Sequence, residues 1–215
     1  MSKQIETITV GPFEVNCYLV FDPATKDLVI VDPGDEPDLI NRRIKLLGGI
    51  PGAILLTHGH GDHIGGVTEM LKRFDIPLVA GKNEEEYLAD PKFNLSGQFG
   101  PAITTRPADR LVVDDDLLLY GSISLRVLAT PGHTSGGVSY LDEENGFLIC
   151  GDTLFQGSIG RTDFPGSSMA QLMQSIQKKI LALPDSIVCY PGHGPRTTVG
   201  VERRSNPFLL EYLYG

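Results

Sequence analysis

Seven residues of this chain have the side chains and the spacing to hold metal ions. Four crowd one six-residue stretch: His58, His60, Asp62 and His63. His133 and His193 follow in near-identical settings, Pro131-Gly132-His133 and Pro191-Gly192-His193, and Asp152 follows Gly151. The chain has five histidines, and this set uses all of them. Four donors so close in sequence cannot all surround one ion, because tetrahedral coordination at about 2 Å restricts their directions. The spacing therefore predicts two divalent ions. His58, His60 and His133 are expected at the first, and Asp62, His63 and His193 at the second. Asp152 has two carboxylate oxygens and can bridge both. Two such cations leave a place for water between them and lower its pKa towards neutrality, with Asp62 and Asp152 orienting the resulting hydroxide. A lone histidine or aspartate is usually a surface or hydrogen-bonded group; the density of donors sets these apart. Structural zinc sites are closed and often rich in cysteine, which argues against a purely structural centre. Zinc is the first expectation for the ions, with iron or manganese as alternatives, since His and Asp donors suit all three.

Each donor group follows an apolar, strand-like run. Ala53 to Leu56 precedes His58, Leu125 to Leu128 precedes His133, Phe147 to Cys150 precedes Asp152, and Ile187 to Tyr190 precedes His193. Four strands would thus deliver donors at their carboxyl ends, where open α/β sheets place ligands. Glycines at 59, 61, 132, 151 and 192 suit backbone that passes close to ions. Thr57, Asp32 and Thr134 are candidates to orient the imidazoles. Asp32, in Val31-Asp32-Pro33-Gly34, reads equally well as a turn or cap residue.

Further strands are expected over Ile5 to Val10, Cys17 to Phe21 and Leu28 to Val31, with Asp22-Pro23-Ala24-Thr25 as a hairpin turn. A helix is expected from Pro37 to Leu47, ended by Gly48-Gly49. Val67, Met70, Leu71 and Phe74 have helical spacing, so a second helix should start near Ile64, just after Asp62 and His63. Residues 90–108 read as a long surface loop. Strand-like runs follow near Leu111, at Leu117 to Tyr120, and at Val138 to Leu141. Ser168 with Gln171 forms a possible capping box for a helix that Pro184 stops, and the tail reads as helical. This alternation predicts an α/β (α+β) fold, two mixed sheets packed face to face with helices outside, in one domain over 1–215.

The composition excludes several functions. The formal net charge is -9, with no basic tail or patch, so nucleic acid is not expected as a partner. No run is long enough to cross a bilayer, and Met1 to Val10 lack the pattern of a signal peptide. Three cysteines in apolar, strand-like contexts read as reduced core residues, which favours a cytoplasmic location.

The stretch Thr57-His58-Gly59-His60-Gly61-Asp62-His63, with His133, Asp152 and His193 in order, resembles the metallo-β-lactamase superfamily along essentially the whole chain. The resemblance implies the four-layer αβ/βα sandwich and a dinuclear metal centre on these residues. Aspartate at 152, where some true β-lactamases have cysteine, points to the glyoxalase II branch. Histidine at 60 argues against flavodiiron oxidoreductases, which carry glutamate there. Gly151 to Phe155, Gly160 to Phe164, Tyr190 to Pro195 and Asn206 to Leu209 look like the short bacterial glyoxalase II-like hydrolases. Ser135 stands where proline is usual.

That likeness implies a thioesterase acting on S-D-lactoylglutathione or a related 2-hydroxyacyl thioester, with a small-molecule, glutathione-derived partner. Longer glyoxalases II carry a C-terminal glutathione-binding domain. Only 22 residues follow His193, so that domain is expected to be absent. Arg161 lies where the longer enzymes have a lysine that contacts glutathione, and is the candidate substrate-binding residue. Its alternative is an ordinary salt bridge with Asp163 or a neighbouring acid. The runner-up activity is that of persulfide dioxygenase, which has a similar fold and would use one iron at His58, His133 and Asp152.

Overall fold

The computed structural model describes residues 3–214. Two six-stranded mixed sheets pack face to face, and helices cover both outer surfaces. In the first sheet, β1 (Gln4–Val10), β2 (Val15–Phe21) and β3 (Asp27–Val31) run antiparallel. Then β4 (Ile50–Leu55), β5 (Leu78–Gly81) and β6 (Arg110–Val112) continue parallel to β3. The second sheet has β7 (Leu117–Tyr120), β8 (Ile123–Ala129), β9 (Val138–Asp142), β10 (Phe147–Gly151), β13 (Val188–Pro191) and β14 (Thr197–Thr198). Strands β11 (Leu154–Phe155) and β12 (Ser158–Ile159) form a separate small hairpin. β8 and β10 both run antiparallel to β9, and β13 runs parallel to β10. β8, β10 and β13 therefore share one direction, and their carboxyl ends lie at the same edge.

The period-two alternation of the strands builds the layers. Tyr18, Val20, Val29, Val31, Ala53 and Leu55 point into the space between the sheets, where they meet Leu125, Val127, Phe147 and Ile149. The alternate residues Cys17, Leu19, Ile30 and Ile54 face outwards onto α1 (Pro37–Leu47) and α3 (Val67–Arg73) through Ile40, Ile44, Val67 and Met70. On the far side Leu148, Cys150 and Cys189 pack against α6 (Met169–Ser175), its π-helical continuation (Ile176–Ile180), α7 (Val199–Ser205) and α8 (Pro207–Tyr214). This is the four-layer sandwich expected from the sequence.

Three local expectations change. The helix placed near Ile64 is two pieces, α2 (Gly61–Ile64) and α3, so Asp62 and His63 lie inside a helical turn rather than before it. At the break, Gly66 N–H donates to the Pro33 carbonyl at 2.8 Å instead of to the preceding helical turn, and the backbones approach so closely that a Cβ on Gly65 would meet the Gly34 oxygen at 2.4 Å. β5 is an addition to the expected strands: three apolar residues between Pro77 and Gly81 make too short a run to read. Residues 90–108 follow α4 (Glu85–Ala89) and are not purely superficial: they include α5 (Ser96–Phe99), and Asn94, Leu95 and Ser96 are buried.

Candidate metal centre

All seven donors meet at the edge where the strands end. β4 leads to His58 and His60, β8 to His133, β10 to Asp152 and β13 to His193, while α2 carries Asp62 and His63. Two three-residue groups result. The donor atoms of His58, His60 and His133 lie within 4.8 Å of one another, as do those of Asp62, His63 and His193. The two groups adjoin, with the His58 and His63 rings 4.1 Å apart between centroids. Asp152 straddles them. Its Oδ2 lies 3.5 Å from Nε2 of both His133 and His193, and its Oδ1 lies 3.4 Å from His63 Nε2.

Hydrogen bonds on the outer side aim the rings. Nδ1 of His133 is 2.8 Å from the Arg161 carbonyl, Nδ1 of His193 is 2.9 Å from the Phe13 carbonyl, and Nδ1 of His63 is 3.0 Å from Asp32 Oδ2. Nδ1 of His58 is 3.1 Å from the Thr57 hydroxyl, which itself donates to Asp32 Oδ2 at 2.6 Å. With Nδ1–H donating outwards, each of these four rings turns a lone pair on Nε2 to the centre. His60 is reversed: its Nδ1 faces His133 Nε2 at 2.9 Å. Gly132 sits at φ 138°, with Leu172 backbone 2.2 Å from where a Cβ would stand, so only glycine brings His133 onto this path.

Asp32 was one of two readings in the sequence, and the structure makes it an orienting residue. It is 1% exposed, and a third possible ion-holding group combines it with His58 and His63. Its oxygens are already committed, however, to Thr57 N–H at 2.7 Å, the Thr57 hydroxyl and His63. It holds a left-handed backbone, φ 49°, a conformation costing about 1–2 kcal/mol outside glycine.

The donor set fits divalent cations on its own chemistry. Nε2 of His58, Nε2 of His63 and Oδ1 of Asp152 are buried and have no hydrogen-bond partner, an arrangement that a coordinated ion would complete. Burial lowers His58 well below the ordinary histidine value and brings His60 down to about 3, so both are neutral, as ligands must be. His63 goes the other way. Burial opposes its charge, but Asp152 and Asp62 outweigh that and raise it well above the ordinary value. Asp152 is held well below the usual carboxylate range by His63 despite its own burial, and Asp62 is also lowered. The two carboxylates thus draw positive charge to the second group, which a cation could supply in place of the proton.

A cavity of about 540 Å³ opens onto His60, Asp62, His133, Asp152 and His193. Its walls include Phe13, Leu95, Phe155 and Phe164, with Arg161 among the lining residues. Arg161 takes the ion-pair form: its Nε and Nη2 reach Asp163 at 2.9 and 2.7 Å, and its guanidinium lies 4.3 Å from the Phe164 ring centroid. Only its backbone carbonyl touches the centre.

Glu84 was missed by sequence reasoning. It is 0% exposed, and its carboxylate accepts from Gly59 N–H at 2.6 Å, Gly136 N–H at 2.9 Å and the Thr134 hydroxyl at 2.6 Å. The run Asn83-Glu84-Glu85-Glu86 reads as solvated acids. The available signal was its position just after β5, level with Asp32 after β3 and His58 after β4.

A family model described as the metallo-beta-lactamase superfamily matches residues 10–193. Hydroxyacylglutathione hydrolase GloC of Haemophilus influenzae is 37% identical over 207 residues, covering 95% of this chain and 97% of that one. The crystal structure of BLEG-1 B3 metallo-beta-lactamase is similar at a TM-score of 0.92 and 40% identity, covering 96% of this chain and 99% of that one. TTHA1623, solved in a di-iron-bound form, is similar at a TM-score of 0.85 and 37% identity, covering 95% and 100%.

Proposed function

The chain belongs to the metallo-beta-lactamase superfamily and is a metallo-hydrolase of that fold, and from this premise we propose that it is a thioesterase of glyoxalase II type. Its substrate would be S-D-lactoylglutathione or a related 2-hydroxyacyl thioester. The observation that carries the reading is Asp152, set between two histidine-rich groups and open to an apolar cavity. GloC, whose name states hydroxyacylglutathione hydrolysis, is matched over nearly its full length. His58, His60 and His133 would hold one divalent ion, Asp62, His63 and His193 a second, and Asp152 would touch both. Bound there, the ions would supply water ionised near neutral pH and a Lewis acid for the thioester carbonyl.

The remaining work falls to the chain. Asp62 and Asp152 stay ionised, so each can accept a hydrogen bond from the attacking water and orient it. Phe13, Leu95, Phe155 and Phe164 would pack the acyl and thiol halves and limit bulk water. Water adds its oxygen to the carbonyl carbon, the C–S bond breaks, one of the water's protons ends on sulfur and the other is released to solvent, and a carboxylate and a thiol leave. Arg161 would contribute charge at the cavity, shared with Asp163. Zinc is the proposed metal; the di-iron form of TTHA1623 favours iron as the alternative. Three buried free cysteines suit a cytoplasmic location, and among the described residues no helix is long and apolar enough to cross a membrane. The test is a thioester panel assayed on metal-loaded protein. Turnover is expected for 2-hydroxyacyl thioesters, and rates no higher than those of the His58→Ala variant would refute it.

A further inference from the structure

Glu84 is a buried carboxylate whose hydrogen bonds go to none of the seven donors. Its three hydrogen bonds go to two loops. Gly59 lies between His58 and His60; Thr134 and Gly136 follow His133. Between them these two segments carry every member of the first donor group, while Asp62 and His63 of the second follow directly in α2. The surrounding chain is shaped to admit the contact. A Cβ on Gly59 would meet Tyr87 Cβ at 2.6 Å, and one on Gly136 would meet Glu84 N at 2.7 Å. One turn further on, Tyr87 stacks edge-on to His60 at 5.8 Å and accepts from Ser135 N–H at 3.4 Å. The second group has outer contacts of its own, Asp32 on His63 and the Phe13 carbonyl on His193, and Asp32 also reaches His58 through the Thr57 hydroxyl.

We propose that Glu84 is a positioning residue for the first ion alone, a clamp that sets the spacing of His58 and His60 from His133, while Asp32 orients the His58 and His63 rings and the β1–β2 turn holds His193. The proposal rests on the metal-centre reading above. Its physical basis is directional. A charged carboxylate accepts from all three donors at once. Glutamine at 84 keeps the shape but turns an N–H₂ towards either Gly59 N–H or the pair Thr134 and Gly136, so one loop is released. Loss of a group that orients ligands typically weakens metal binding by about 10–100-fold.

The experiment is a titration of the metal-free full-length chain with Co²⁺, followed by ligand-field absorption and by competition with a chelator. His58→Ala identifies which of two affinities belongs to the first group. Glu84→Gln is expected to weaken that affinity by about 10–100-fold and change its absorption band, with the other affinity and band unmoved. Thr134→Val, which removes one of the three hydrogen bonds, is expected to give a smaller loss at the same site, and keeps the test valid if Glu84→Gln does not fold. Equal weakening of both affinities, or of neither, overturns the proposal. A wild-type chain that binds no Co²⁺ refutes the metal-centre reading itself.

Discussion

Glu84 places an ionisable carboxyl where water does not reach, and its titration reflects the conflict. Burial pushes its carboxyl from 4.5 up to about 7, against three hydrogen bonds that pull it down. A folded-state pKa above the unfolded value gives stability that is fully present below about pH 4.5 and lost as pH rises through about 7. The difference corresponds to about 3 kcal/mol at most. Metal-free wild type should therefore lose thermal stability over this window more steeply than metal-free Glu84→Gln, as read from melting temperatures at a series of pH values. Equal slopes would contradict the assignment. At this scale the sequence is informative where residue type and spacing coincide. His58, His60, Asp62 and His63 crowd one loop, and geometry forbids them a single ion. Glu84 escapes notice because a carboxylate among carboxylates carries no mark of burial. Arg161 was open between two uses, and its guanidinium is found paired with Asp163.

At the scale of elements, the site exists because strands in both sheets end at one edge. β3, β4 and β5 release Asp32, His58 and Glu84 in succession, and β8, β10 and β13 release His133, Asp152 and His193. Backbone must pass close to the donors at these ends. A Cβ on Gly192 would stand 2.0 Å from Asp152 Oδ1 and 2.7 Å from His63 Cε1. Gly192→Ala should thus retain the far-ultraviolet circular dichroism of the fold while losing at least one metal equivalent by elemental analysis. Full metal content would show that the strand end tolerates a side chain. Unbroken apolar runs made β2, β3 and β10 legible, and Pro37 with Gly48 marked both ends of α1. The short parallel strand β5 and the α2–α3 break were not legible. The first is only three apolar residues and a glycine, and the second depends on the Pro33–Gly34 backbone, about 30 residues away in sequence.

For the whole molecule, two sheets close on a shared core and leave their carboxyl ends as the floor of a cavity walled by Phe13, Leu95, Phe155 and Phe164. The fold and the superfamily were readable from the motif and from the alternation of strands and helices. The substrate was not, because the cavity walls come from separated loops whose meeting no local pattern announces. The central claim is that this centre performs hydrolysis with two ions. Its most direct test adds Zn²⁺ stepwise to the metal-free chain, measuring bound metal and hydrolysis of a 2-hydroxyacyl thioester on the same samples. Two ions bound per chain are expected, with activity reaching its plateau only at the second. Contradiction would be binding that ends at one ion, with no hydrolysis, and oxygen consumption by the iron-loaded chain.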